Sequence, residues 1–240
     1  MRTGSMQIAT FLALVLVSLA VADAAAGEPG VVRISQVYAG GGALTYQPQS
    51  YRTDYVELLN AGGTPVDVSG WLLEYGGATA TSHFGCAGCT GVLPAGTVIQ
   101  ACSYLLVKVG PTNTHPSSAA PDVPAPDVVL AFPSLEGGGP LALLSGGSIL
   151  TGFCLNDPRV QDLVEWGGGS CAWGLPAPGL DLTDGLVRLD AGMSSTGDNS
   201  LDFTVVTNPV PRRSSSPANP LCLETPAVPA TWGRLKTIFR

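Results

Sequence analysis

Asp54-Tyr-Val-Glu-Leu-Leu-Asn60 and, a few residues on, Val66-Asp-Val-Ser-Gly-Trp71 decide how this chain is read. Val56 and Leu58 alternate with Tyr55 and Glu57, the period-2 pattern of a strand with one face turned to a core. Asn60-Ala-Gly-Gly is a turn signal that ends it. Ser69-Gly70 is a second turn, after which residues 70–76 read as another strand with Trp71 as a large core anchor. Val56 and Leu58 then face inward, and Glu57 on the opposite face is exposed or paired with a neighbour.

The same alternation continues outward from this pair. Residues 31–38 read as a strand ended by Gly40-Gly41-Gly42, and further strands are expected at 97–100, 103–109, 140–145, 160–166 and 185–189. No long window carries the 3.6-residue apolar period of a helix. The chain has 240 residues, of which 45% are hydrophobic, 31 are glycine and 20 are proline. That core fraction excludes wholesale disorder, and punctuation of that density excludes a helical bundle. Many short strands without intervening helices point to an all-β sandwich or barrel. The prolines between 111 and 126 mark a long loop inside one domain.

Arg2, the apolar run Ile8–Ala22 and small residues up to Ala26 have the order of an export signal, so residues 1–24 are assigned to a signal peptide. The run is short of the roughly 20 residues of a bilayer-spanning helix, and no later window is long and apolar enough. The mature chain is therefore expected to be secreted, periplasmic or on the cell surface, in an oxidising compartment. Charged residues are only 12%, about half the usual share of roughly 25%. Residues 25–211 carry a net charge of −11 and residues 212–240 a net +4. A body so acidic repels phosphate backbones, which argues against nucleic acid as a partner.

Several motifs taken in order resemble the lamin-tail domain of secreted bacterial proteins. They are Val32-Arg-Ile-Ser-Gln-Val-Tyr38, Asp54–Asn60 with Asp67-Val-Ser-Gly-Trp71, and Leu93-Pro-Ala-Gly96 with Tyr104-Leu-Leu-Val107. Gly138-Gly-Pro-Leu-Ala-Leu-Leu144 and Val160–Trp166 complete the series. The resemblance spans about residues 31–211. It implies an immunoglobulin-like β-sandwich over 25–211 in which Trp71, Glu57, Asn60, Gly70 and Trp166 are structural positions. It also implies a non-catalytic binding or tethering role, without a cofactor. Such domains often accompany a secreted enzyme, and no second domain here is long enough to be one.

Six cysteines in an exported chain imply disulfides. The resemblance implies a Cys154–Cys171 bridge flanking the strand 160–166, which stabilises by about 3 kcal/mol on a chain-entropy argument. Cys86 or Cys89 is then expected to pair with Cys102, leaving the other for Cys222. A competing reading makes His83, Cys86, Cys89 and Cys102 a zinc site, at the cost of an unpaired Cys222. The Cys86-Ala-Gly-Cys89 spacing also fits thiol–disulfide exchange, but without the βαβ context of that chemistry. Asp54 and Glu57, three apart on a strand, face opposite ways and do not form an acid–base pair. Gly167-Gly-Gly-Ser170 reads as a turn. Asp198-Asn-Ser-Leu-Asp202, with Asp181, Asp184 and Asp190, offers oxygen ligands for Ca²⁺, against a polar turn that delivers Phe203 to the core. The alternative functional class is a secreted hydrolase or metal-binding protein.

Residues 212–230, rich in Pro and Ser, read as a linker, and Thr231-Trp-Gly-Arg-Leu-Lys-Thr-Ile-Phe-Arg240 as a basic, aromatic tail. Thr231 suits the N-cap of a short helix with Trp232, Leu235 and Phe239 on one face. Trp232, Arg234, Lys236 and Phe239 are the expected contacts to a protein or cell-envelope component. The segment also resembles Trp-Gly-x-(Leu/Ile)-Lys endings of other exported bacterial proteins.

Overall fold

The alternation read in Asp54–Asn60 is realised as a central strand buried on both faces. The computed structural model describes residues 30–42, 47–77, 84–152 and 157–223. Twelve strands lie in them. The first six are β1 (Val32–Tyr38), β2 (Asp54–Asn60), β3 (Val66–Asp67), β4 (Leu72–Tyr75), β5 (Thr90–Val92) and β6 (Val98–Ile99). The others are β7 (Tyr104–Val109), β8 (Val128–Val129), β9 (Gly139–Leu144), β10 (Val160–Trp166), β11 (Asp184–Arg188) and β12 (Phe203–Thr207).

One sheet has the order β12-β11-β1-β2-β7-β8, the other β10-β9-β4-β5, and β3 pairs with β6 alone. Every pairing is antiparallel except β7 with β8. The chain is thus an all-β sandwich, as the strand spacing predicts. The core lies between the sheets. Val56, Leu58, Val107 and Leu186 come from one side, and Leu73, Leu141, Leu143 and Val164 from the other. A bulge between Ile34 and Gln36 in β1 lets both Ile34 and Val37 face this core, although an odd spacing separates them.

Both sheets are covered on their outer faces as well. Leu72, Ala142, Leu144 and Leu163 form a second apolar cluster with Phe84 and Leu150. This explains the unbroken run Leu141-Ala-Leu-Leu144, since a strand buried twice needs no polar alternation.

The motif residues close one corner of the sandwich. Asp67 Oδ1 accepts the Ser69 amide, Ser69 Oγ accepts the Gly96 amide, and the Gly70 amide donates to Leu93 O. Gly70 and Gly96 hold φ of +74° and +81°, a region that penalises any Cβ. Buried Asn60 ends β2 because its Nδ2 serves the carbonyls of Thr64, Ile99 and Gln100. Its Oδ1 accepts the Gly62 amide.

Trp71 is not the inter-sheet anchor. It sits in the turn one residue before β4 and packs, partly buried, at the core margin. Trp166 fills the space instead, fully buried, stacked on Tyr75 at 6.0 Å and donating from Nε1 to Glu136 O. The second feature absent from the sequence reading is an ion pair in the core. Arg188 on β11 and Asp162 on β10 meet at 2.5 Å with side chains 1% and 0% exposed, joining an inner strand of one sheet to the edge strand of the other. Arg188 also donates to Ile34 O and Ser194 O, lies 3.6 Å from Asp202 and stacks over the Phe203 ring at 4.3 Å.

Removing one partner of such a pair strands the other charge in the core. Arg188→Leu is expected to lower the unfolding free energy by about 3–5 kcal/mol, read from denaturant titration. A loss below 1 kcal/mol would show that the pair is dispensable.

Candidate functional site

Glu57 identifies the face where the body meets its C-terminal segment. It is fully buried rather than exposed, because the chain after β12 lies across it. Arg212 donates its backbone amide to Glu57 Oε2 at 2.5 Å, and its guanidinium reaches Oε1 at 2.7 and 3.1 Å. Ser35, released by the β1 bulge, donates to the same carboxylate. The guanidinium also stacks over Tyr104 at 4.0 Å and donates to its hydroxyl and to Ala191 O.

The linker expected at 212–230 is therefore corrected over its described part. Pro209 O accepts from Tyr51 OH, Val210 O from Gln36, and Asn219 bonds both Cys102 O and Ala191 O. A Cys102–Cys222 disulfide follows. Composition misled here because extended Pro and Ser backbone serves equally as a spacer and as a strap. The available signal was Glu57 itself, a carboxylate on the outer face of a central strand, for which Arg212 is the partner. Residues 224–240, and with them Trp232, Arg234, Lys236 and Phe239, lie outside the described residues.

The disulfide pattern also differs from the expected one. Cys86 bonds Cys89 across a single short turn, so neither reaches Cys102. The zinc reading loses its sulfurs to these bonds, and His83 lies outside the described residues. Cys171 is disulfide-bonded; its expected partner Cys154 also lies outside them.

The strap and the turn after β11 frame an open groove of about 400 Å³ lined by Gln36, Val187, Leu189, Asp190, Thr204 and Val210, together with Arg188 and Arg212. Asp190 and Ala191 hold φ of 53° and 55°, a conformation costing roughly 1–2 kcal/mol per non-glycine residue. Three donors, from Tyr104, Arg212 and Asn219, converge on Ala191 O and hold it. Both arginines are neutralised, Arg188 by Asp162 and Arg212 by Glu57. The groove's free charge is thus the exposed Asp190.

Other carboxylates hold backbone rather than substrate. Asp54 bridges the amides of Gly41 and Leu135 without a cation, and burial pushes its carboxyl up to about 7. Glu74 accepts the Leu150 amide and Glu165 the Cys171 amide, and burial raises both carboxyls. In the Gly167–Ser170 turn, a Cβ on Gly169 would overlap the Glu165 carboxylate and push it off the Cys171 amide. Asp54 and Glu57 face opposite sides of β2, as their spacing requires. Asp198 is occupied by Ser200, and Asp202 by Ser194, Thr196 and Arg188. Among the described residues no three His, Cys, Asp or Glu side chains are placed to hold a metal ion, and Phe203 is in the core.

No family model matches the chain, and no curated protein matches it. A solved structure does: a DUF4876 family protein from Bacteroides thetaiotaomicron, 12% identical, covering 79% of this chain and 74% of that one with a TM-score of 0.51. At that identity the likeness is one of fold, an all-β architecture shared over most of both chains.

Two measurements follow. Cys102–Cys222 spans 120 residues and Cys86–Cys89 only 3. Replacing the first pair by serine is expected to cost about 5 kcal/mol and the second about 2 kcal/mol or less on the chain-entropy argument; equal losses in denaturant titration would refute the strap's role. Asp54 titrates near 7 in the fold against an ordinary 3.8, so the fold binds its proton more tightly. Its stabilising contribution is full below pH 3.8 and is lost as pH rises to about 7. Wild type should melt higher at pH 5 than at pH 8, and Asp54→Asn should flatten that slope.

Proposed function

We propose that the chain is an exported, non-catalytic binding or tethering module of lamin-tail type, attached to a cell-envelope component through its C-terminal residues. The observation that carries this reading is the way the quoted motifs interlock. Asp67–Trp71 and Leu93–Gly96 bond to each other at one corner, a structural use of the residues on which the resemblance rests.

The commitments of the acidic side chains support the non-catalytic half. Asp54, Glu57, Glu74, Asp162 and Glu165 each accept from a backbone amide or an arginine in the folded chain. A general acid or base needs a substrate proton within hydrogen-bond reach instead. The disulfides are those of a chain folded in an oxidising compartment, and no helix among the described residues is long and apolar enough to cross a membrane.

For the attachment role, the body's last described anchor is Cys222, and the basic, aromatic segment 231–240 follows it. Trp232 and Phe239 supply apolar contact, and Arg234 and Lys236 the charge for an acidic surface or anionic lipid. Deleting residues 230–240 is expected to leave the melting temperature unchanged while the protein moves from the envelope to the medium. A fall of many degrees with unchanged location would place the segment in the fold and remove the attachment role. A screen of the purified protein for nuclease, phosphatase and glycosidase activity tests the remaining half. Turnover abolished by replacing one of the carboxylates above would overturn the module reading.

A further inference from the structure

β12 differs from every other edge strand of the sandwich. β8 has two residues, and β5 has three with Gly91 at its centre. β10 is long, but its outer backbone groups are taken. Asn199 Oδ1 accepts the Glu165 amide and Asn199 Nδ2 donates to Leu163 O, so one side chain copies a neighbouring strand. The Ala177 amide takes Glu165 O and the Gly30 amide takes Gln161 O. These are the usual protections of a sheet edge. β12, Phe-Thr-Val-Val-Thr, has none: no charge, no proline, and an unbroken register against β11 from Asp184↔Thr207 to Arg188↔Phe203.

The direction of its backbone groups follows from its two ends. The Phe203 amide donates to Asn199 O, and the Asn208 amide donates to Thr183 O across the hairpin. In an antiparallel ladder the groups alternate. Residues 204, 206 and 208 therefore turn to β11, and the N–H and C=O of Val205 and Thr207 point to the open side. Among the described residues nothing pairs with that side.

We propose that β12 is a strand-addition site for an extended, basic peptide segment of another protein. This rests on the binding-module reading and names its surface. Main-chain bonds to Val205 and Thr207 supply affinity, and alternate side chains supply specificity. On the outer face such a side chain runs over Thr204 into the groove, against Leu189 (41% exposed) and Val210 (77%). Charge selects the occupant. Asp190 lines the groove beside Thr204, Asp184 and Asp181 stand at the Thr207 end, and the groove's two arginines are already paired. A basic peptide meets carboxylates at both ends. A second copy of this chain, at net charge −7, would bring its own carboxylates to the same places.

The probe is an end-capped, fluorescein-labelled Lys-Val-Thr-Val-Arg-Lys peptide, titrated against the full chain by fluorescence anisotropy. Saturable binding is expected, weakened about tenfold by Val205→Pro or by Thr207→Pro, each of which removes an outward N–H that an edge strand can spare. Asp190→Asn should weaken it about threefold, and the loss should shrink at high salt. Melting curves confirm folding, and the exposed Thr207 site serves if Val205→Pro unfolds. Amide shifts confined to Val205, Thr207 and their neighbours would support the site. Equal binding to the proline variants, equal binding of a Glu-Val-Thr-Val-Glu-Glu peptide, or no binding at millimolar peptide would overturn it. So would a dimer dissolved by Thr207→Pro, or hydrogen-exchange protection of residues 231–240 lost in that variant; these assign the edge to a second copy or to the chain's own end. If the peptide fails while an envelope pull-down with the full chain still recovers a partner that depends on residues 230–240, this site is wrong and the module reading stands.

Discussion

Arg188 and Asp162 carry the constraint on which the arrangement of the two sheets depends. Each lies on a strand whose alternation turns it inward, Arg188 in step with Leu186 and Asp162 in step with Val164 and Trp166. Neither charge is tolerable in the core alone. Together, with the Ile34 amide and carbonyl, Ser194 O and the face of Phe203, they satisfy one another. Hydrophobic contact between the sheets is non-directional and would accept a shifted stacking. A guanidinium with fixed donor directions accepts one, so the pair sets the registration of β10 against β11 and β1.

The same economy explains the loops. Of the six buried carboxylates among the described residues, Asp54, Glu74 and Glu165 stand in no ion pair. They turn to backbone amides that irregular segments leave unpaired. Asp54 holds the segments at Gly41 and Leu135, Glu74 holds Leu150, Glu165 holds the turn before Cys171, and Asp202 holds Thr196. Strands thereby dictate the path of the loops covering them, and both sheets become buried on both faces. Where a cation was required, on the outer face of β2, the chain supplied it from far along the sequence as Arg212.

This division shapes the functional surface. The strap that covers Glu57 leaves a groove at the β11–β12 hairpin, while Asn199 and Ala177 close the edge of the other sheet at β10. One sheet edge is sealed and one is open. The strained turn at Asp190 and Ala191 belongs to the open one, held by donors from the strap itself.

The sequence by itself determined the all-β class and the position of its longer strands other than β12 at Phe203–Thr207, because period-2 alternation and Gly/Pro punctuation are local properties. Its readings at 54–60 and 160–166 coincide with β2 and β10. The two- and three-residue strands β3, β5 and β8 were invisible, since so short a segment has no period to show. Of the residues that the resemblance marks as structural, Asn60 and Trp166 are buried and Gly70 sits in a turn at φ +74°. The place of Trp71, the partner of Glu57 and the pairing of Cys86, Cys89, Cys102 and Cys222 were not legible in the sequence. Each depends on which distant segment arrives beside it: the core side of a turn, the strap at Arg212, or the nearest of several sulfurs. Only the tertiary structure decided those, because burial of a charge and closure of a disulfide are set by neighbours in space and not by neighbours in sequence.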